Sequence, residues 1–267
     1  MEIYHYFAGT APIIVSIPHT GTFVPEPLLE RFMPPAKQLP DTDWHLEQLY
    51  SFAHELGVHL LVATHSRYVI DLNRAPDNQS LYPGKFTTSL CPTTLFDGTP
   101  LYQNGMEPDD KEIQERIKKY WQPYHDKLHT TINQLRKHHG EVIVFDAHSI
   151  CSQVPLLFEG QLPDLNIGTA DGKSADNQLI EKLMKHCQRR PYSSVCNGRF
   201  KGGYITRHYG EPAAGVHAVQ LELTQQNYML ETYPFTYLEP KAKLLQATLR
   251  EMITILCMHL SEKHSSN

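Results

Sequence analysis

Two histidines follow short apolar runs that are typical of buried strands. His19 comes two residues after the run at 12–17, and His148 comes three residues after the run at 142–145. Each imidazole should therefore stand at the mouth of a strand, where neutral imidazole is a good zinc ligand. A catalytic zinc usually has three protein ligands, so the two histidines need a third partner. The chain contains no HExxH or CxxC motif that would identify it.

Three aspartates are candidates for that partner. Asp43 and Asp41 lie where a helix is predicted to begin after the first strand, and a carboxylate there can equally cap the helix. Asp146 lies two residues before His148, so both side chains point the same way in an extended chain. Asp146 is then a ligand, an acceptor that fixes the His148 tautomer, or a cap of the following turn. The pattern leaves these alternatives open.

The segment 67–74 gathers Arg67, Asp71, Asn73 and Arg74 near a predicted strand end. A planar guanidinium matches a carboxylate, and an asparagine beside it adds a neutral donor. Asn73 and Arg74 are therefore candidates for binding the α-carboxylate of an amino acid. The alternative interpretation is a structural ion pair between arginine and aspartate.

Glu222 stands between two leucines in a predicted strand at 217–223. Burial of a carboxylate is costly unless the group is paired or functional. Burial also raises the carboxyl pKa, which suits a general base near neutral pH. The alternation of Gln220, Glu222 and Thr224 fits equally well a strand with one solvated face.

The elements that must position these residues alternate between strands and helices. Apolar runs predict strands at 12–17, 58–63, 67–72 (as a hairpin partner of 58–63) and 142–145, and alternation predicts a strand at 217–223. Helical spacing predicts helices after Thr42, over 113–135 with a kink near Pro123, at 175–189 and at 245–256. The histidines of the long helix, including His125 and His129, are expected to be solvated or structural.

This order of elements predicts one α/β domain over residues 1–267, with a mostly parallel or mixed sheet covered on both faces. In such sheets the chemistry gathers at the carboxyl ends of the strands. Residues 75–108 lack periodicity and are expected to form a long loop that could close over the site.

The composition of the chain indicates which classes of binding partner and which compartment to expect. The chain has 24 Lys and Arg against 29 Asp and Glu, a net charge of −5, which argues against binding a nucleic-acid backbone. The five cysteines are widely spaced and odd in number, which favours a reducing compartment over a disulfide framework. No signal peptide and no apolar run of ~18 residues is apparent. We expect a cytoplasmic protein with a small-molecule partner and no nucleic-acid or membrane partner; its oligomeric state is open.

Six segments resemble the N-formylglutamate amidohydrolase family and occur in order over most of the chain. They are SIPHTG at 16–21, LPDTDWHLEQLY at 39–50, SRYVIDLNRAP at 66–76, DAHSI at 146–150, RFKGGYITRHYG at 199–210 and HAVQLELTQQNYM at 217–229. The family is similar to zinc carboxypeptidases and aspartoacylases. The resemblance implies a three-layer α/β/α fold around a central mixed sheet.

The resemblance also implies a ligand set. His19 and His148 match the two imidazole ligands of one zinc ion, and Asp43 matches the acidic ligand, with Asp41 as the reserve. The chain departs from the His-x-x-Glu pattern of the relatives, because Thr22 stands three residues after His19. The acidic ligand must therefore come from further along the chain.

The remaining roles follow from the same resemblance. Glu222 matches the general base, Asn73 with Arg74 matches the pair that binds the substrate carboxylate, and Arg67 matches an arginine that binds substrate or polarises the scissile carbonyl. Arg207 is expected to hold the γ-carboxylate. The implied reaction is zinc-dependent hydrolysis of N-formyl-L-glutamate to formate and L-glutamate, in histidine degradation. The alternatives are a related amidohydrolase or carboxypeptidase acting on another N-acyl amino acid, and a metal-free dicarboxylate-binding module.

Overall fold

The computed structural model of the protein describes residues 1–79 and 87–265, and the strands of this part of the chain form one sheet. These strands are β1 (Tyr4–Phe7), β2 (Ile13–Ile17), β3 (His59–Ala63), β4 (Val142–Ile150), β5 (Leu165–Gly168), β6 (Ser194–Cys196) and β7 (Val216–Thr224). Their order across the sheet is β1-β3-β2-β4-β7-β5-β6. The central strands β3, β2, β4 and β7 are parallel, whereas β1 and β5 run antiparallel to β3 and β7. The sheet is mixed, as predicted.

Helices connect and cover these strands. They are α1 (Glu26–Leu29), α2 (Leu46–Leu49), α3 (Asp110–Arg116), α4 (Gln122–His139), α5 (Asn177–Cys187), α6 (Tyr204–Tyr209) and α7 (Glu239–Ser265). The predicted kink is a π-helical turn at Ile117–Trp121, directly before α4. Pro123 lies in the first turn of α4, directly after this π-helical turn. Within residues 1–79 and 87–265 no helix is both long and apolar enough to cross a membrane.

Alternate side chains of each strand enter different halves of the core. Ile13 and Val15 of β2 pack in a cluster with residues of α2, α5 and α7, whereas Ile14 packs with residues of α4 on the other face. In β4, Phe145 packs in the cluster with α2, α5 and α7, and Val144 packs in the cluster with α4. Successive strand side chains point to opposite faces, so helices cover both faces of the sheet. The predicted α/β fold with three layers is confirmed.

The face of the sheet that packs on α4 changes from apolar to polar along the two central strands β4 and β7. In β4, Val144 of the apolar cluster is followed on the same face by Asp146 and His148. In β7, Gln220 and Glu222 occupy the corresponding positions. All four polar side chains are buried. The carboxyl-terminal halves of the strands therefore hold a polar site inside the helical layer.

One strand prediction is wrong and another is too short. Residues 67–72 form no strand. Val69 N donates to Ser66 O and Arg74 N donates to Asp71 O, so this segment forms local turns and no β-sheet hydrogen bonds with β3. The antiparallel partner of β3 is β1. The strand predicted at 142–145 continues to Ile150, because β7 pairs with it over nine residues. His148 therefore lies within β4 and not after it.

Smaller differences concern the connections. The helix predicted after Thr42 begins at Leu46, following His45, whose φ of 63° is left-handed. The strands β1, β5 and β6 were not predicted. Of the long loop predicted at 75–108, residues 80–86 lie outside the described part of the chain.

Candidate active site

His19, Asp43 and His148 lie together in the interior at the carboxyl end of the sheet. One potential ligand atom of each lies within 4.8 Å of the others, and all three residues are buried. His19 follows β2 by two residues, and Asp43 N donates to His19 O at 3.1 Å, which draws the two segments together. The structure thus brings together the three residues that the sequence singled out as ligands. Imidazole and carboxylate are donors that zinc prefers.

A second carboxylate lies behind each imidazole. His19 Nε2 is 2.8 Å from Asp71 Oδ1, and His148 Nε2 is 2.9 Å from Asp146 Oδ2. The Nδ1 atoms of the two rings face Asp43 Oδ2 at 3.7 and 3.2 Å. A proton on each Nε2, donated to the outer carboxylate, leaves the Nδ1 lone pairs directed at a common centre. Asp146 thus has the position of an orienting acceptor.

Asp71 occupies the matching position behind His19. From the sequence, Asp71 was interpreted only as an ion-pair partner of arginine. It is fully buried and also accepts from Asn73 N at 2.8 Å. It lies 52 residues from His19 in the chain, so no local pattern connects the two. The residue types of segment 67–74 and the family resemblance both marked this region, but neither connected Asp71 with His19.

The electrostatics of the three residues fit a cation. Burial raises the pKa of Asp43, but hydrogen bonds with His148 and His19 outweigh it and hold that pKa well below its usual range. Asp43 Oδ2 also accepts from Ser149 N at 3.1 Å, whereas the buried Oδ1 has no hydrogen-bond partner among the described residues. Burial lowers the pKa of His148, but the Asp146 carboxylate raises it well above its usual value. Dense negative charge around two imidazoles and an unsatisfied carboxylate oxygen match a divalent metal.

Asp41 lies apart from this group. Its Oδ2 accepts from Phe96 N at 2.9 Å, and burial raises its pKa to about 6. Its carboxylate is therefore committed to the backbone of the segment that carries Phe96.

Glu222 stands beside His148 on the neighbouring strand, because the two residues are register partners. It is 7% exposed, so the solvated-face interpretation of this strand is wrong. Burial raises its pKa to about 8, although the positive charge of His148 lowers it. Gln220 Nε2 donates to Glu222 Oε2 at 3.4 Å. The site holds a carboxyl group that can exchange a proton near neutral pH.

Arg67 is held by protein carboxylates. Its Nη2 donates to Asp71 Oδ2 at 2.8 Å, and its Nη1 lies 3.6 Å from Asp43 Oδ1. The guanidinium carbon is 4.7 Å from the centroid of the Phe96 ring. The structural ion pair considered for this segment is present, and Arg67 also lines the cavity described below.

Asn73 is fixed by contacts on both sides of its amide. Nδ2 donates to Asp146 Oδ2 at 3.2 Å, and Oδ1 accepts from Ile205 N at 2.8 Å. Gly203 packs flat against this amide: a Cβ at Gly203 would lie 2.3 Å from Asn73 Nδ2. The close approach explains why a glycine precedes α6.

One cavity adjoins His19, His148 and Glu222. Three of the described residues that line the cavity are arginines: Arg67, Arg74 and Arg199. Among the same described residues, Glu222 has the one carboxylate. Thr88 fixes Arg74, whose Nε donates to Thr88 O at 3.0 Å and whose Nη2 donates to Thr88 Oγ1 at 3.2 Å. This lining favours an anionic ligand.

Arg207 is not among the residues that line this cavity. It lies on α6, and its Nε donates to Gly202 O at 2.8 Å. Arg199, which does line the cavity, was missed because an arginine in a Gly-rich segment carries no periodicity that indicates its direction.

Comparisons with known proteins point to one family. Residues 11–229 match a family model described as N-formylglutamate amidohydrolase. The N-formylglutamate deformylase of Pseudomonas putida is 45% identical over 264 residues, covering 98% of each chain. That of Pseudomonas aeruginosa is 44% identical over 265 residues, covering 99% of each chain.

Solved structures show the same fold. A crystal structure of N-formylglutamate amidohydrolase from Ralstonia eutropha superposes with a TM-score of 0.85 at 22% identity, covering 98% of this chain and 100% of that one. A gene product from Agrobacterium tumefaciens superposes with a TM-score of 0.73 at 16% identity, covering 96% and 95%.

Proposed function

The chain belongs to the N-formylglutamate amidohydrolase family, and we propose that it hydrolyses N-formyl-L-glutamate to formate and L-glutamate with one bound zinc ion. The observation that carries this proposal is the buried group of His19, Asp43 and His148, with Glu222 on the adjacent strand. The names of the two Pseudomonas relatives support the substrate. The reaction would belong to histidine degradation in the cytoplasm, where the five thiols of the chain would stay reduced.

The three buried residues would hold the metal. Asp43 is favoured over Asp41 and Asp146 as the acidic ligand, because only its carboxylate faces both Nδ1 atoms. When bound, the zinc ion would supply Lewis acidity at the formyl carbonyl. Asp71 and Asp146 would orient the imidazoles from behind.

Glu222 would move the proton. It accepts a proton from the water whose oxygen attacks the formyl carbon, and it returns that proton to the amine as the C–N bond breaks. Its pKa of about 8 suits the return, and a cation in the neighbouring site lowers that pKa by Coulomb attraction toward the range where a base works at neutral pH. Arg67, 3.6 Å from Asp43, would donate to the oxygen on which negative charge develops.

Asn73 and Arg74 would position the substrate. Arg74, fixed by Thr88, would bind the α-carboxylate, and a bidentate pair there would hold the formyl group in one orientation. Asn73 is itself tied to Asp146, so the substrate site and the metal site share one hydrogen-bond network.

The test is release of formate from N-formyl-L-glutamate by zinc-loaded protein, with chelator-treated protein as the control. We expect turnover that is lost with the chelator and restored by zinc, and about one zinc ion per chain by elemental analysis. N-acetyl-L-glutamate and a small peptide serve as competing substrates. Faster cleavage of either would favour a related amidohydrolase or carboxypeptidase. Binding of N-formyl-L-glutamate without product would favour a metal-free binding module and refute the proposal.

A further inference from the structure

Two segments of the chain bring three arginines to the active-site cavity, and the surroundings of these arginines differ. The charge of Arg67 is matched by Asp71 at 2.8 Å and Asp43 at 3.6 Å. Arg74 is fixed by Thr88 next to Asn73. Arg199 comes from the stretch between β6 and α6 and reaches the same cavity. A substrate with two carboxylates needs cationic donors at two separate places.

The Arg199 side chain is oriented by two residues that also line the cavity. Its Nε donates to Leu157 O, and its guanidinium carbon lies 5.3 Å from the centroid of the Phe200 ring. The other N–H donors of the guanidinium are on its two terminal nitrogens, Nη1 and Nη2. Leu157 and Phe200 give the cavity an apolar wall beside the charge. Such a wall suits the methylene chain that separates the two carboxylates of glutamate.

The backbone that carries Arg199 is fixed at successive residues. Lys201 O accepts from Ala170 N at 2.6 Å, Gly202 O accepts from Arg207 Nε at 2.8 Å, and Gly203 N donates to Gln220 Oε1 at 2.8 Å. Arg207 therefore supports this stretch from outside the cavity. A rigid carrier allows a charged side chain to select among ligands with little ordering cost.

We propose that Arg199, rather than Arg207, binds the side-chain carboxylate of the substrate and so determines the preference for an N-acyl dicarboxylic amino acid. This inference rests on the proposed function and adds the residue that recognises the distal anion. The distal carboxylate takes no part in bond breaking, so Arg199 is a specificity-determining residue.

The experiment compares kcat/KM for N-formyl-L-glutamate with that for N-formyl-L-glutamine, which has the same size but a neutral side chain. In R199Q the ratio of the two values should fall by about 10- to 100-fold, because a charge-assisted hydrogen bond is lost for one substrate only. R199K should keep part of the preference, since it retains the charge but loses the planar fork. R74Q is the matched control: both substrates carry the α-carboxylate, so both values should fall while their ratio holds.

The outcomes separate this inference from the proposed function. If the zinc-loaded wild-type protein releases no formate from either substrate, the proposed function fails. If the wild-type protein is active and R199Q keeps the wild-type ratio, Arg199 is excluded and the proposed function stands. A collapse of the ratio in R207Q but not in R199Q would overturn the assignment in favour of Arg207. If circular dichroism shows that R199Q does not fold, the ratio of the two kcat/KM values is measured in R199M and interpreted in the same way.

Discussion

His125 is a buried histidine of α4 whose protonation should oppose folding. Its Nε2 lies 2.9 Å from Leu72 O, its Nδ1 lies 3.0 Å from Tyr209 Oη, and its ring stacks on Trp121 at 3.8 Å. Because a carbonyl oxygen only accepts, Nε2 carries the proton, and the neutral ring accepts from the tyrosine hydroxyl at Nδ1. Leu72 precedes Asn73, so this contact also supports the proposed substrate site.

Burial lowers the pKa of His125 from 6.5 to about 3. The unfolded chain therefore binds a proton that the folded protein excludes. The stability that depends on neutral His125 is fully present above pH 6.5 and is lost as the pH falls toward 3. One pKa unit corresponds to about 1.4 kcal/mol, so acidification to about pH 5 should cost about 2 kcal/mol through this residue.

We predict that His125→Gln is less stable than the wild type at pH 7 but not at pH 5. Loss of the Tyr209 hydrogen bond and of ring stacking should cost about 1–2 kcal/mol at pH 7. Glutamine does not titrate, so this deficit should shrink as the wild type loses about 2 kcal/mol, and should vanish near pH 5.

The assay is the free energy of unfolding in urea at pH 7, 6 and 5, measured on chelator-treated protein so that metal binding does not contribute. The matched control is His129→Gln, an exposed histidine one turn further along the same helix, which should follow the wild type at each pH. A deficit of equal size at pH 7 and pH 5 in His125→Gln would refute the reasoning, because it would mean that His125 titrates alike in both states.

Three further predictions concern the active site. Glu222→Gln keeps the shape of the buried side chain but cannot take a proton, so kcat should fall about 100- to 10,000-fold with unchanged zinc content; full turnover would remove Glu222 from the role of base. Asp71→Asn should weaken zinc binding about 10- to 100-fold in a chelator competition, because an amide orients His19 less well than a carboxylate; an unchanged affinity would contradict that role. Arg74→Ala should raise KM for N-formyl-L-glutamate about 10-fold or more, with a smaller effect on kcat; steady-state kinetics with an unchanged kcat/KM would reject the α-carboxylate assignment.

Local patterns in the sequence were enough for the central strands and the long helices. The apolar runs of β2, β3 and β4, the alternation of β7 and the helical spacing of α4, α5 and α7 are properties of neighbouring residues. The strands β5 and β6 are short and of mixed polarity, so their pairing depends on distant parts of the chain. The segment 67–72 has the composition of a strand, but its buried Arg67–Asp71 ion pair and turn hydrogen bonds give it another conformation.

The sequence by itself determined the family resemblance and the types of side chain at the site: two imidazoles, several carboxylates and several arginines. Only the tertiary structure decided which of these meet. Asp41 and Asp43 are two residues apart and equivalent in pattern, but only Asp43 is drawn to His19 by a backbone hydrogen bond. Glu222 is buried and not solvated because the register of β4 with β7 places it beside His148 under the helical layer. Which of these side chains meet depends on the order of the strands and on which helix covers which face. Neither can be predicted from the spacing of neighbouring residues.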